Sequence, residues 1–396
     1  DPNGGAVLAG VTTVTSVKVG AAVTISESGI EASGIGITCA NINGTQIGGR
    51  RNIIINGAMN IAQRGTSSTS SGFYTVDRFQ ANYYGTNEAP TQAQVALSSS
   101  DTPYGSGFRY AYKVTNGNQT GGGGAGKFIR FKTVLEAQDI ACSGWNYTSS
   151  SNNVTLSFWV KASVAQTYFA RLQTYDGTSQ NYPVSFALSA NTWTKVVKTI
   201  PGNSNLQFDN NSAEGLLLEI VPYYGTDYTN GSMSVDAWAA YSDRTPNNTA
   251  TWYETDDATF EITGVQLEVG SQATSFEHRS FGEELSLCER YCQVLIAGSQ
   301  YYGTCMLYTG SVHTVASLWK REMRATPTIV ANSGTNYYIT YRNGGNAQYN
   351  SLDGSLSTAS KLGGGVFTTG GSGTGGHAGA IAGNNSSTLV YITAEL

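Results

Sequence analysis

Residues 51–80 read RNIIINGAMNIAQRGTSSTSSGFYTVDRFQ. The β-branched run Ile53, Ile54, Ile55 stops at Asn56-Gly57. A second short strand is expected before Gln63-Arg64-Gly65, then a Ser/Thr loop, then an aromatic strand holding Tyr74, Asp77, Arg78 and Phe79. Apolar alternation bounded by Asn-Gly and Gly/Ser clusters is the pattern of strands and turns, so this stretch reads as the opening of a β-sandwich.

The pattern continues to residue 280 as strands separated by Gly, Asn and Ser turns, without useful helical periodicity. In Val154–Lys161, Leu156, Phe158 and Val160 share one face and Thr155, Ser157 and Trp159 the other. In Phe260–Val269 the alternation slips phase near Gly264, which predicts a bulge. About 230 residues of this kind suit one large antiparallel sandwich.

Composition bounds the function. The 396 residues carry 12% charged and 40% hydrophobic side chains, with 48 Gly and 24 Tyr. That fits a β-rich extracellular or virion surface and fits disorder badly. A net charge of −5 without a basic cluster argues against nucleic-acid binding. No run of eighteen apolar residues and no signal-like start is present, so no membrane insertion is expected. Five scattered cysteines (Cys39, Cys142, Cys288, Cys292, Cys305) suit synthesis in a reducing cytosol. The chain begins at Asp1 and is read as the distal part of a longer or trimmed protein.

The flanks differ from the centre. Residues 1–50 contain no Phe, Trp or Tyr, only Val/Ile/Thr alternation broken by Gly (VTSVKVG, AAVTISESG). Segments this poor in large side chains cannot bury a core alone. Several chains sharing one core, a trimeric stalk, is the expected solution, with a flexible linker as the alternative. Ser280–Gly298 reads as a helix, with Ser280 and Glu283 as a capping box and Gly298 as its stop. Phe281, Leu285, Cys288, Cys292 and Leu295 follow a/d spacing, so 281–298 is expected as a trimer neck. The alternative is one helix packed on its own sandwich. Residues 299–396 return to β and end in the alternating strand TLVYITAE.

Few motifs carry chemistry. GGGGAGK at 121–127 imitates a phosphate loop, but Phe128 replaces the metal-binding hydroxyl, and a hairpin tip is the expected reading. Cys288-x₃-Cys292 with Cys305 and His313 lacks a second paired motif for zinc. His278, His313 and His377 are isolated, and no catalytic constellation is visible. Asp236, Asp243, Glu254, Asp256 and Asp257 are the acidic candidates for a glycosidase pair or a structural Ca²⁺, and otherwise read as solvated turn residues. No other cofactor is expected.

Aromatics are the positive signal. Tyr-Tyr-Gly-Thr occurs at 83–86, 223–226 and 301–304. Tyr83, Tyr84, Tyr223, Tyr224, Tyr228, Trp252, Tyr301 and Tyr302 are the candidate ligand-binding residues, since such rings stack on sugar C–H faces while their polar ends reach outward. Each pair could equally end a strand and pack locally.

NIIINGAMNIAQRGT…YTVDRF, with VTLSFWVKA at 154–162 and ITGVQLEVGSQATSFEHR at 262–279, resembles the jelly-roll module of tail fibres and receptor-binding proteins of tailed bacteriophages, cyanophages among them. KREMRATPTIV at 320–330 resembles a strand of their small C-terminal sandwich domains. The resemblance implies an all-β homotrimeric fibre: a β-prism-like stalk (1–50), a carbohydrate-module-like jelly roll (51–280), a helical neck (281–298) and a C-terminal β-sandwich tip (299–396). It further implies a non-enzymatic virion protein, made in the host cytoplasm and assembled with other tail proteins. Its ligand would be a host surface polysaccharide or lipopolysaccharide. A purely structural fibre or collar spacer and a glycan depolymerase are the alternatives.

Overall fold

The computed structural model describes residues 50–353 and 359–396 throughout, and before them the strands Ser16–Val19, Val23–Ser26, Gly29–Ala32, Asn41–Ile42 and Thr45–Gln46. The chain divides into two compact units, Asp1–Ile47 and Gly48–Leu396. In the first, Ser16–Val19, Val23–Ser26 and Gly29–Ala32 form a three-stranded antiparallel sheet. Cys39 lies outside the described residues.

The second unit is built on an antiparallel jelly-roll sandwich. Its front sheet has the order Ala239–Ala240, Gln180–Leu188, Gln166–Thr174, Glu214–Tyr224, Phe128–Glu136, Gln80–Tyr84. Its back sheet has the order Thr194–Pro201, Asn153–Ala162, Thr259–Val269, Tyr110–Thr115, Thr91–Ala96, Ser67–Ser68. Alternation decides which side chains meet between them. Leu156, Phe158 and Val160 from the back sheet share one buried cluster with Tyr168, Leu172, Leu218 and Ile220 from the front. Each such side chain contributes about 1.5–3 kcal/mol of burial.

The expected bulge at Gly264 is present. Ser157 pairs with Gln266 and Trp159 with Thr263, so two residues oppose Phe158 alone. The extra residue turns both Ile262 and Val265 into the core. Gly264 has φ +62°, and a Cβ there would lie 2.6 Å from the Phe108 ring.

The opening segment corrects the sequence reading. Residues 51–66 form no strand, and neither do residues 73–79. Ile53, Ile54, Ile55 and Met59 are nevertheless buried. Side chains replace the ladder: Asn52 Oδ1 accepts from the Ile54 N–H (3.0 Å) and Asn56 Oδ1 from the Ile61 N–H (3.0 Å). Asn56 Nδ2 donates to the carbonyls of Ile61 and Asp77 (2.9 and 2.8 Å). Backbone polar groups must be satisfied somewhere, and here buried Asn residues do it.

The helix also differs. Its capping box forms as read, but it covers only Phe281–Cys288. Cys292–Ala297 is instead a strand, paired with Leu389–Thr393. A turn at Cys288–Tyr291 aims Arg290 at Glu136 (2.7 and 2.8 Å), and the Tyr291 hydroxyl donates to the same carboxylate (2.5 Å). The run Val294-Leu295-Ile296 then takes the extended state that β-branched residues favour. The five expected seam residues are therefore dispersed. Phe281 is exposed, Leu285 and Cys288 pack near Ile55 and Ile61, and Leu295 joins the C-terminal core. Gly298, at φ +63°, ends a strand rather than a helix.

The C-terminal part holds a three-stranded sheet (Cys292–Ala297, Leu389–Thr393, Thr328–Ala331) and a six-stranded one running from Gly345–Tyr349 to Gly363–Thr368. It is fastened to the jelly roll by buried charge. Arg64 bridges Asp77 (3.3 Å) and Glu395 (2.7 Å), and Arg78 pairs with the other Glu395 oxygen.

Candidate functional site

The separation of the first two Tyr-Tyr-Gly-Thr segments in sequence hides their pairing in space. Both end strands that flank Phe128–Glu136 in the front sheet. Ile129 pairs with Tyr83 on one side and Tyr223 on the other, and Phe128 with Tyr84 and Tyr224. Because side chains alternate, the first tyrosine of each segment turns inward and the second outward. Tyr223 is buried against Tyr253, with ring centroids 4.5 Å apart, and Tyr83 packs half-buried on the core.

Outward, Tyr84, Phe128 and Tyr224 form an aromatic rung across three strands. Tyr84 and Phe128 stack at 6.2 Å, and Tyr228 closes on both Phe128 (5.3 Å) and Tyr224 (5.6 Å). Arg244 lies over the Tyr228 ring at 4.5 Å and over Tyr224 at 5.1 Å. Tyr84 is 65% exposed, Phe128 and Tyr228 are half-buried, and Tyr224 forms the buried base.

A charged cluster adjoins the rung. Arg171 and Glu219 are cross-strand partners, and their side chains pair at 2.5 Å. Arg130 reaches Glu219 from the neighbouring strand and donates to Asn82 Oδ1 through Nη2 (2.9 Å). The Tyr224 hydroxyl donates to Glu219 (2.5 Å), and Arg171 Nη1 to Gln173 (2.8 Å) and Asn181 (3.1 Å). Burial alone would push the Glu219 carboxyl up, but Arg171 and Arg130 outweigh it and hold it at about 2. One carboxylate thus serves two guanidiniums, which leaves the cluster with net positive charge. Sequence reasoning missed this cluster. Its signal was a lone charge inside each of two apolar strands, YFARLQT and GLLLEIVPYY, which burial tolerates only in pairs.

Other candidate residues fall elsewhere. Trp252 is fully buried, and its indole N–H donates to the Thr259 carbonyl (3.0 Å). Tyr301 and Tyr302 belong to the C-terminal six-stranded sheet; Tyr301 is exposed beside Tyr341, and the Tyr302 hydroxyl donates to Ser317 (2.7 Å). The Gly121–Lys127 stretch is not a hairpin tip. It crosses from the back sheet to the front one, because Tyr110–Thr115 and Phe128–Glu136 lie in different sheets. Gly225 lets it pass close by: a Cβ there would sit 2.2 Å from the carbonyl oxygens of Gly124 and Ala125.

The acidic candidates do not converge. Glu254 accepts from the Gly123 N–H (3.0 Å), Asp236 pairs with Lys198 (3.4 Å), Asp243 accepts from Asn230 (3.1 Å), and Asp257 sits at φ 53° in the turn expected for Asp256-Asp257. Among the described residues no group of three or more His, Cys, Asp or Glu is placed to hold a metal ion, calcium included. Glu219 is fully committed to hydrogen bonds and is held ionised, so it cannot serve as a general acid.

The chain matches no protein-family model, and no curated protein matches it. Among solved structures it is similar to the N-terminal cellulose-binding domain of Cellulomonas fimi β-1,4-glucanase C, at 12% identity over 54% of this chain and 99% of that one, TM-score 0.27. It is similar too to a sugar-binding protein of Bacteroides thetaiotaomicron, at 10% identity over 56% and 100%, TM-score 0.27. A family 16 carbohydrate-binding module follows at 9% identity over 44% and 84%, TM-score 0.23.

Proposed function

We propose that this protein binds glycans through the front sheet of its jelly roll, as a non-enzymatic receptor-binding fibre of a tailed phage. The observation that carries the binding reading is the outward face itself. Exposed Tyr84 and half-buried Phe128 and Tyr228 offer apolar ring faces beside the donors Arg130, Asn82 and Arg244. Sugars need this combination: flat C–H faces meet aromatic rings, and ring hydroxyls meet fixed polar groups. The pre-bonded Arg171–Glu219–Arg130 cluster holds the donors rigid, which lowers the ordering cost of binding.

The phage assignment is supported by the resemblance of the 51–80, 154–162 and 262–279 segments. The homotrimer is supported by the aromatic-poor first fifty residues. A trimer would multiply weak sugar contacts through avidity, and a lipopolysaccharide or other envelope polysaccharide of a bacterial host is the ligand that fits. A structural spacer is the second reading, favoured by the buried Arg64–Asp77–Glu395–Arg78 clamp, which makes the second unit stiff.

The test is a binding assay of the purified chain against envelope polysaccharides, with sedimentation mass and glycan product analysis on the same sample. Saturable binding by a trimer, with the glycan intact and binding weakened in Tyr84→Ala, is expected. A trimer that neither binds nor cleaves would favour the spacer, and shortened glycan would make the protein a depolymerase.

A further inference from the structure

The outer face of the back sheet holds a second concavity, independent of the front-sheet tyrosines, of about 270 Å³. Ser157 and Trp159 form its floor, since they point away from the core that Leu156, Phe158 and Val160 fill. Phe108, Phe276 and His278 form a wall, their rings 4.9–5.1 Å apart. The Gly264 bulge lies at its base without a side chain, and Lys195, the cross-strand partner of Trp159, stands at the rim.

Three features of this cavity suit a polar, anionic ligand. The chain has six tryptophans. Trp145, Trp193, Trp238, Trp252 and Trp319 each donate the indole N–H to a protein oxygen at 2.7–3.1 Å. The Trp159 Nε1–H has no partner among the described residues. Ser157 is only 3% exposed, and its hydroxyl, which opens on the same cavity, has none either. Both groups open on the cavity rather than on another part of the protein, so each is free to donate to a molecule held there. Lys195 is exposed and makes no ion pair among the described residues, and no carboxylate lines the cavity.

We propose that this cavity binds one carboxylated pyranose, a uronic-acid unit of a polysaccharide. The Trp159 ring supplies a stacking platform for the sugar's C–H face. Its Nε1–H and the Ser157 hydroxyl donate to ring or hydroxyl oxygens, and Lys195 takes the carboxylate in a charge-assisted bond. At about 270 Å³ the cavity falls just below the usual range for ligand pockets, about 300–1,000 Å³, which suits a single ring rather than a chain segment. The protein would then hold glycan on two opposite faces of one sandwich, with the acidic sugar on the back.

The test follows the Trp159 indole N–H signal in ¹H–¹⁵N spectra of the full chain, assigned by its loss in Trp159→Phe. Methyl β-D-glucuronide should move it saturably, and methyl β-D-glucoside should bind about tenfold more weakly or worse. Lys195→Met should bring the glucuronide down to the glucoside's affinity, with the other indole signals unmoved as the check on folding. A Trp159 signal that ignores glucuronide, or a Lys195→Met protein that binds it as tightly as the wild type, overturns the proposal. Tyr84→Ala should leave this titration unchanged, so a failure here and a failure of the front face are read separately; a titration lost in Tyr84→Ala also overturns it.

Discussion

Arg78 and Glu395 form a buried ion pair that spans 317 positions of the chain. The Arg78 guanidinium also lies 3.4 Å from the centre of the Tyr291 ring, and Arg64 binds the second Glu395 oxygen at 2.7 Å. Burial pushes the Glu395 carboxyl up, but Arg78 and Arg64 outweigh it and hold it below the usual range. The resemblance-bearing residues Arg64, Asp77 and Arg78 therefore fasten the end of the chain to the start of the jelly roll.

Removing one partner of such a cluster strands buried charge. Glu395→Ala should cost about 3–5 kcal/mol, seen as a lower denaturant midpoint. A loss under about 1 kcal/mol would mean that water reaches the guanidiniums and that the clamp is not buried in solution.

Acid should weaken the front sheet through Glu219. Its folded value of about 2 lies below the ordinary 4.5, so the stabilisation it gives is present above pH 4.5 and is lost as pH falls toward 2. That shift corresponds to about 3 kcal/mol in this fully buried group. Stability measured from pH 6 to pH 2 should fall through this window. Glu219→Gln should be less stable at pH 6 and flatter with pH; an equally steep fall in the variant would assign the acid sensitivity to other carboxylates.

Tyr84 and Tyr223 should behave oppositely although they sit in the same sequence motif. Tyr84→Ala should leave the melting temperature nearly unchanged and weaken glycan binding by about 1 kcal/mol, roughly fivefold. Tyr223→Ala should instead cost about 3–5 kcal/mol of stability, because it empties a buried site beside Tyr253. Calorimetry and a binding titration on both variants decide it, and a stable Tyr223→Ala protein would contradict the inward orientation.

Gly264→Ala should destabilise the back sheet by about 2 kcal/mol or more, since the bulge needs φ +62° and the Phe108 ring occupies the Cβ position. Thermal unfolding measures it; a neutral substitution would show that Phe108 can move aside.

The thiols supply a check on packing. Cys142 is exposed, whereas Cys288, Cys292 and Cys305 are buried, and burial pushes these three thiols up. In the native protein at pH 8 a thiol reagent should label Cys142 quickly and those three only on unfolding. Fast labelling of Cys292 would mean that the strand Cys292–Ala297 detaches.

Much of the architecture follows from local pattern. Period-two alternation in Val154–Lys161 and Phe260–Val269 was enough to assign the core faces and the Gly264 bulge, because a strand offers only two directions for a side chain. The Ser280–Glu283 capping box was legible for the same reason, being made within four consecutive residues. What failed depended on partners far away. Ile53–Ile55 looks like a strand, yet Asn52 and Asn56 supply its hydrogen bonds. Cys292 and Leu295 keep helical spacing, yet pairing with Leu389–Thr393 draws them into a sheet. The proposed binding face was half visible. Sequence marked Tyr84, Tyr224 and Tyr228 as aromatic and polar-tipped, but could not separate them from Tyr223 or Trp252. Only the register against Phe128–Glu136 decided which ring faces solvent, and only the neighbouring strands brought Arg130, Arg171 and Glu219 together, since cross-strand distance has no trace in chain order.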